Sequence, residues 1–135
     1  MKKSRTEKDA IGEIKVENSN LWGSQTQRSL ENFKISDEII PSEIIHAFAI
    51  QKKSSAISNI ASGNINLEIG EKILTACDEI IEGKLKNQFP LSVWQTGSGT
   101  QTNMNMNEVI AFRANQLLGK DELKLRVVHP NDHCN

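Results

Sequence analysis

Trp94-Gln95-Thr96-Gly97-Ser98-Gly99-Thr100-Gln101-Thr102-Asn103-Met104-Asn105-Met106-Asn107-Glu108 is the stretch on which the reading of this sequence turns. Two glycines flank a serine, and an apolar helical pattern follows at once. From Gln101 to Leu118 the residues Met106, Val109, Ile110, Ala114, Leu117 and Leu118 form one apolar face, and Gly119 closes the element. A glycine loop opening a helix has a specific chemical use. Glycine lets backbone N–H groups approach a ligand closely. The helix start adds unpaired N–H donors and a partial positive charge. With the hydroxyls of Ser98 and Thr100, and with Gly99 between them, the segment suits a carboxylate or a phosphate. A plain turn, with Thr100 or Thr102 as helix cap, explains the same letters. The asparagines tilt the balance towards a ligand. Asn is a mediocre helix former, because its side chain competes for backbone hydrogen bonds, so Asn103, Asn105 and Asn107 need another reason to be there. Residues 103 and 107 share a face, and 105 lies on another. Asn103, next to the loop, is placed to bind a ligand, and the other two suit buried interhelical hydrogen bonds.

Outward from this segment the pattern stays helical. Ser24 to Phe33 is a short helix candidate following Trp22 and Gly23. Pro41 suits the first turn of a helix. Ile44, Phe48, Ile57, Ile60 and Ala61 fall near helical spacing after it, and Gly63 is a left-handed stop. The next helix carries Ile69, Ile73, Cys77 and Ile80 on one stripe, with Leu74 and Ile81 beside it, and ends at Gly83. Lys84 to Leu91 reads as a connector containing Pro90. Near the amino terminus, weak alternation from Ser4 to Val16 around an Asp9–Gly12 turn fits a short β-hairpin. The class is mainly α.

Composition narrows the function. The 135 residues, 37% hydrophobic and 4% aromatic with no Tyr, make one domain with a thin core of Ile, Leu and Ala. Such a domain is suited to leaning on a larger body or on partner subunits. Sixteen basic residues against 17 acidic ones give no argument for nucleic acid or a membrane surface. Met1 to Ala10 is charged and lacks the apolar core of a signal peptide, and no stretch reaches the ~18 apolar residues of a membrane span. The two cysteines, Cys77 and Cys134, do not make a disulfide framework. The chain reads as cytoplasmic.

A second polar cluster closes the sequence. Arg126, His129, Pro130, Asn131 and Asp132 crowd seven residues. Arg126 offers a planar fork for a carboxylate, and His129 can donate, accept or titrate. The segment also reads as an ordinary irregular turn. His129 and His133 are four apart, but Pro130 argues against one regular helix carrying both, and no further ligand supports a metal site. No metal is expected.

Taken together, these segments resemble the class II fumarases of the fumarase/aspartase superfamily. Trp94 to Glu108 looks like that family's signature almost unbroken. Val128-His129-Pro130-Asn131-Asp132 looks like its second marker, and Leu21-Trp22-Gly23-Ser24-Gln25-Thr26-Gln27-Arg28-Ser29-Leu30-Glu31-Asn32-Phe33 resembles its amino-terminal segment. The resemblance implies that residues 1–135 form the helical amino-terminal domain of that fold, without its central helical bundle and carboxy-terminal domain. It implies reversible hydration of fumarate to malate in the tricarboxylic acid cycle, with no cofactor, in a homotetramer whose active sites draw on three subunits. Ser98 and Thr100 match substrate-carboxylate binders, with Gly99 and Asn103 beside them. Arg126, His129, Pro130, Asn131 and Asp132 match a second dicarboxylate site. The acid and base groups match nothing up to Asn135, so no catalytic residue is expected in these 135 residues, and alone they are expected to be inactive. Aspartase is the sister reading, which Trp94-Gln95-Thr96 and His129 disfavour. A non-catalytic remnant or interaction fragment is the other. His133-Cys134-Asn135 departs from the family's continuation, which has an aliphatic residue at 134. A truncated gene, a frameshift or an excerpted domain would each produce the ending.

Overall fold

In a computed structural model, residues 3–135 are described, so Met1 and Lys2, the start of the stretch read as lacking a leader, lie outside the described residues. Strands β1 (Ser4–Lys8) and β2 (Glu13–Glu17) pair antiparallel, from Ser4 opposite Glu17 to Lys8 opposite Glu13. Asp9 closes their turn, its Oδ1 accepting from the N–H groups of Ile11 (3.0 Å) and Gly12 (3.2 Å). Five helices follow: α1 (Ser24–Asn32), α2 (Ser42–Ala61), α3 (Leu67–Ile81), α4 (Thr100–Leu117) and α5 (Pro130–Cys134). The mainly helical class and the small hairpin are as the sequence predicts.

The core lies where α2, α3 and α4 meet. Ile45, Ala49 and Ala56 come from α2, Ile73, Ala76, Cys77 and Ile80 from α3, and Met106, Val109, Ile110 and Ala114 from α4. The crossing of α2 and α3 is close because Gly70 has no side chain. A Cβ there would stand 2.5 Å from Cγ1 of Ile60. Asn66 caps α3, its side chain accepting from Glu68 N at 2.9 Å. Helices α2, α3 and α4 run out at Gly63, Gly83 and Gly119, all with positive φ, as expected. Both cysteines are free and buried, and burial pushes the Cys77 thiol up to about 12. That makes Cys77 the inert apolar filler its position in the α3 stripe suggests.

Three expectations are corrected. The buried side of α2 is Ile45, Ala49, Lys52 and Ala56, whereas Ile44 and Ile57 are 45% and 50% exposed. Apolar residues lie on both sides of this helix, so no single phase is marked by its largest side chains. Pro41 sits at the N-cap of α2, one position before the first turn. The segment after His129 is not irregular: α5 forms, with His129 as N-cap and Pro130 at its first position, where a missing N–H costs nothing.

One long-range contact fixes the amino-terminal half on this core. Helix α1 has no side-chain cap of its own and no acidic residue in its first turn. Glu108 of α4, 5% exposed, replaces both. Its Oε2 accepts from Gly23 N (2.6 Å) and Thr26 N (3.2 Å), and its Oε1 from Gln25 N (2.8 Å). Burial pushes the Glu108 carboxyl above its ordinary value, and the backbone donors pull back against that rise. Glycine at 23 leaves room for this approach, since a Cβ would lie 3.0 Å from the Glu108 carboxyl carbon and crowd it.

Replacing Glu108 by Gln keeps the shape but turns an NH2 group towards backbone donors. We expect Glu108→Gln to lower the unfolding free energy by about 1–3 kcal/mol, measured by urea denaturation. A variant within about 0.5 kcal/mol of the wild type, the usual range for an inert surface change, would show that the contact holds nothing.

Candidate functional site

The glycine loop begins from a fixed base. Gln95 donates through Nε2 to Ser92 O (2.8 Å) and accepts from Thr102 Oγ1 (3.1 Å). Ser29 Oγ of α1 donates to Gln101 Oε1 (2.5 Å). The exposed Trp94 donates its indole N–H to Glu38 (3.2 Å). Thr102 is thus a tie to the loop, not the cap, and Thr100 is the first helical residue. The cap is Gly99, at φ 74° and ψ 4°, a left-handed conformation natural to glycine. Gly99 has no side chain with which to cap α4, and Ser98 Oγ accepts a long bond from Thr100 N (3.4 Å). Ser98 Oγ and Thr100 Oγ1 are 2.9 Å apart and exposed. A Cβ on Gly97 or Gly99 would meet nothing within 4 Å, so the backbone on either side of Ser98 is uncrowded. Charge at such a helix start favours an anion.

The asparagines divide as their spacing suggests. Asn105 is buried and donates to Gln88 O (2.9 Å). Asn103 and the buried Asn107 both donate to Asn135 Oδ1, at 3.0 and 3.2 Å, which ties the end of α5 to the start of α4. Asn103, half-buried, is engaged with Asn135 here.

The second cluster gathers on a cavity of about 560 Å³. Arg126, His129, Pro130 and Asn131 line it together with Glu7 and Phe112. Asp132 lies outside that lining, 3.6 Å from His129 Nδ1 and largely exposed. The Arg126 guanidinium is not open. It makes two parallel bonds to Glu7, at 2.7 and 2.8 Å, and lies 4.6 Å from the Phe112 ring centre. Arg5, on β1 with Glu7, joins them: its Nε donates to Glu7 at 2.5 Å, and its guanidinium lies 4.1 Å from the same ring. Phe112, beside Arg126, lies twelve residues along α4 from Thr100, about 18 Å at ~1.5 Å per residue, whereas Asn135 at the end of α5 bonds Asn103 near the loop.

Two residues of this region escaped the sequence reading. Asn115, fully buried in α4, accepts from the N–H groups of Val127 (2.9 Å) and Val128 (3.0 Å) and donates to Val128 O and Ala111 O (2.9 Å each). It holds the backbone that carries Arg126 and His129. The signal was available, since it is another Asn on an apolar helical face. Glu7 carried no such signal, because its partner Arg126 is 119 positions away.

A model of the lyase family matches residues 12–135. The chain is 54% identical over 131 residues to the class II fumarate hydratase of Helicobacter pylori strain J99, covering 97% of this chain and 28% of that protein. It is 55% identical over 135 residues to the class II fumarate hydratase of Nitrosomonas europaea, covering 100% of this chain and 29% of that one. The fold matches the crystal structure of recombinant class II fumarase from Schistosoma mansoni with a TM-score of 0.94 at 41% identity, over 98% of this chain and 28% of that chain. The chain spans less than a third of the length of these relatives.

The ion pairs of the hairpin make stability depend on pH. Hydrogen bonding to Arg28 is the largest cause holding the Asp9 carboxyl well below the usual carboxylate range, against some burial. For Glu7, burial pushes upward, but the hydrogen bonds and charges of Arg126 and Arg5 outweigh it, and the net direction is down. Carboxyls lowered in the folded state bind more protons when unfolded. Their contribution is fully present above the unfolded value of ~4 and is lost as pH falls through the folded values. The urea midpoint therefore loses the Asp9 and Glu7 contributions on acidification from about pH 5, whereas Glu108, raised by burial, acts in the opposite sense. In Asp9→Asn it should start lower and decline less steeply. Parallel declines in the two proteins would rule out this linkage.

Proposed function

The chain belongs to the lyase family, and from that premise we propose that it supplies the amino-terminal, dicarboxylate-binding part of a fumarate hydratase, which interconverts fumarate and L-malate. The observation that carries this reading is the open helix start at Gly99, with two hydroxyls 2.9 Å apart and no side chain in the capping position. Identity of 54% to a class II fumarate hydratase across 97% of the chain supports the choice of substrate.

In this reading one carboxylate of the substrate sits on Ser98, Thr100 and the first N–H groups of α4, with Gly99 allowing the approach and Asn103 at the edge. Removing the proton from the carbon next to that carboxylate sends the electron pair into it, giving an aci-carboxylate with doubled negative charge. Donors already fixed at that position stabilise the charge as it grows. The base that takes the carbon-bound proton is expected from outside residues 1–135. These residues act as one amino-terminal domain in a homotetramer whose sites are shared between subunits, working in the tricarboxylic acid cycle in the cytoplasm. Among the described residues, no helix is long and apolar enough to cross a membrane. Arg126, His129, Pro130, Asn131 and Asp132 form an accessory dicarboxylate site, separate from the chemical centre.

Two substitutions test this in the assembled enzyme. Thr100→Ala should lower kcat/KM by ~10-fold or more with the melting temperature nearly unchanged. If Thr100 only starts a helix, kinetics will stay at the wild-type level and the loop reading fails. His129→Asn should keep kcat within ~10-fold while weakening malate binding at the second cavity, whereas loss of a true acid–base group typically costs ~100-fold or more. A collapse of kcat would place His129 in the chemistry and overturn its accessory role.

A further inference from the structure

The accessory cavity is lined by Arg126, yet that arginine already holds a carboxylate. Glu7 is 4% exposed and takes both terminal nitrogens of the Arg126 guanidinium in the bidentate geometry that a ligand carboxylate would use. Both residues line the cavity, so a small dicarboxylate entering it meets Glu7 and Arg126 at the same surface.

The two arginines that share Glu7 differ in freedom. Arg5 is locked by donation to three backbone carbonyls, Glu17 O (3.0 Å), Asn20 O (2.7 Å) and Trp22 O (2.7 Å). Arg126 has one further bond, an exposed one from Nε to Asp121 O (3.0 Å), and it sits in the segment between α4 and α5. If Arg126 turned to a ligand, Glu7 would keep its Arg5 partner at 2.5 Å, so no buried charge would be left bare. The exchange trades one carboxylate for another on the same fork, with Phe112 still under the guanidinium. Its Coulombic cost is therefore small, and the outcome is set by the difference between the two anions.

Resting on the accessory-site reading above, we propose that Glu7 is the affinity-determining residue of that site, an internal carboxylate that a dicarboxylate must displace from Arg126. Binding at the cavity is thereby weakened below what Arg126 alone would give. It is also coupled to strand β1, whose burial Glu7 provides. A monocarboxylate that only reaches the rim gains nothing from the exchange, so the competition also selects for ligands with a second charge to spend on His129 and Asn131.

The test is an NMR titration of the purified chain with L-malate, following backbone amides of residues 4–8 and 126–131. In the wild type, shifts at 126–131 should be accompanied by shifts at 4–8 with the same midpoint. Glu7→Gln should tighten the binding read at 126–131 by about fivefold or more. Equal affinity in the two proteins, with residues 4–8 unmoved, would overturn the role of Glu7 and leave the accessory site standing. No malate-dependent shift at 126–131 in either protein would overturn both. If Glu7→Gln does not fold, the wild-type titration decides by itself: coupled shifts support the exchange, and shifts confined to 126–131 refute it.

Discussion

Three backbone N–H groups at the start of α1 have no partner within their own helix, and a carboxylate from α4 reaches across to take them. Much of the structure hangs from that contact. It sets residues 23–26 against the central helix, and so fixes where the preceding carbonyls of Asn20 and Trp22 lie. Those carbonyls hold Arg5. Arg5 then orients Glu7, and Glu7 orients Arg126. A buried charge would be a liability if left alone. Satisfied by three donors, it becomes a joint between segments that are more than 80 positions apart in sequence.

Helix α4 carries two polar regions that differ in how their charge is settled. At its start the hydroxyls of Ser98 and Thr100 are exposed and bond each other rather than a carboxylate. Farther along, positive charge is abundant but already engaged: Arg126 and Arg5 share the one carboxylate of Glu7. The first arrangement favours tight capture of an incoming anion. The second favours exchange. A helix that is buried over most of its length gives both regions a stiff common support, with Asn105, Asn107 and Asn115 fastening neighbouring segments to it.

The sequence announced the fold best where local chemistry was unambiguous. The α3 stripe of Ile73, Cys77 and Ile80 is buried as its spacing demands, and glycines end three helices where they stand in the text. It misled at α2, because Ile44 and Ile57 stand out by size while the smaller Ala49 and Ala56 pack inward. At the loop, Gly99 rather than a threonine takes the cap, since only a left-handed residue turns the chain into α4 at that point. The cluster around Arg126 was legible as residue types but not as geometry. Nothing local tells that a guanidinium near the end of the sequence is claimed by a glutamate near its beginning, because that pairing exists only once the helices have packed.

The two tryptophans stand in opposite surroundings, Trp22 buried with its N–H on Gln27 and Trp94 exposed beside the glycine loop. Their light emission therefore divides by place. The buried indole reports the joint between α1 and α4 and is shielded from dissolved quenchers. The exposed one reports the mouth of the loop and is open to them. The chain thus carries its own pair of optical reporters, one for its assembly and one for its candidate site, and Tyr, which would blur them, is absent from its composition.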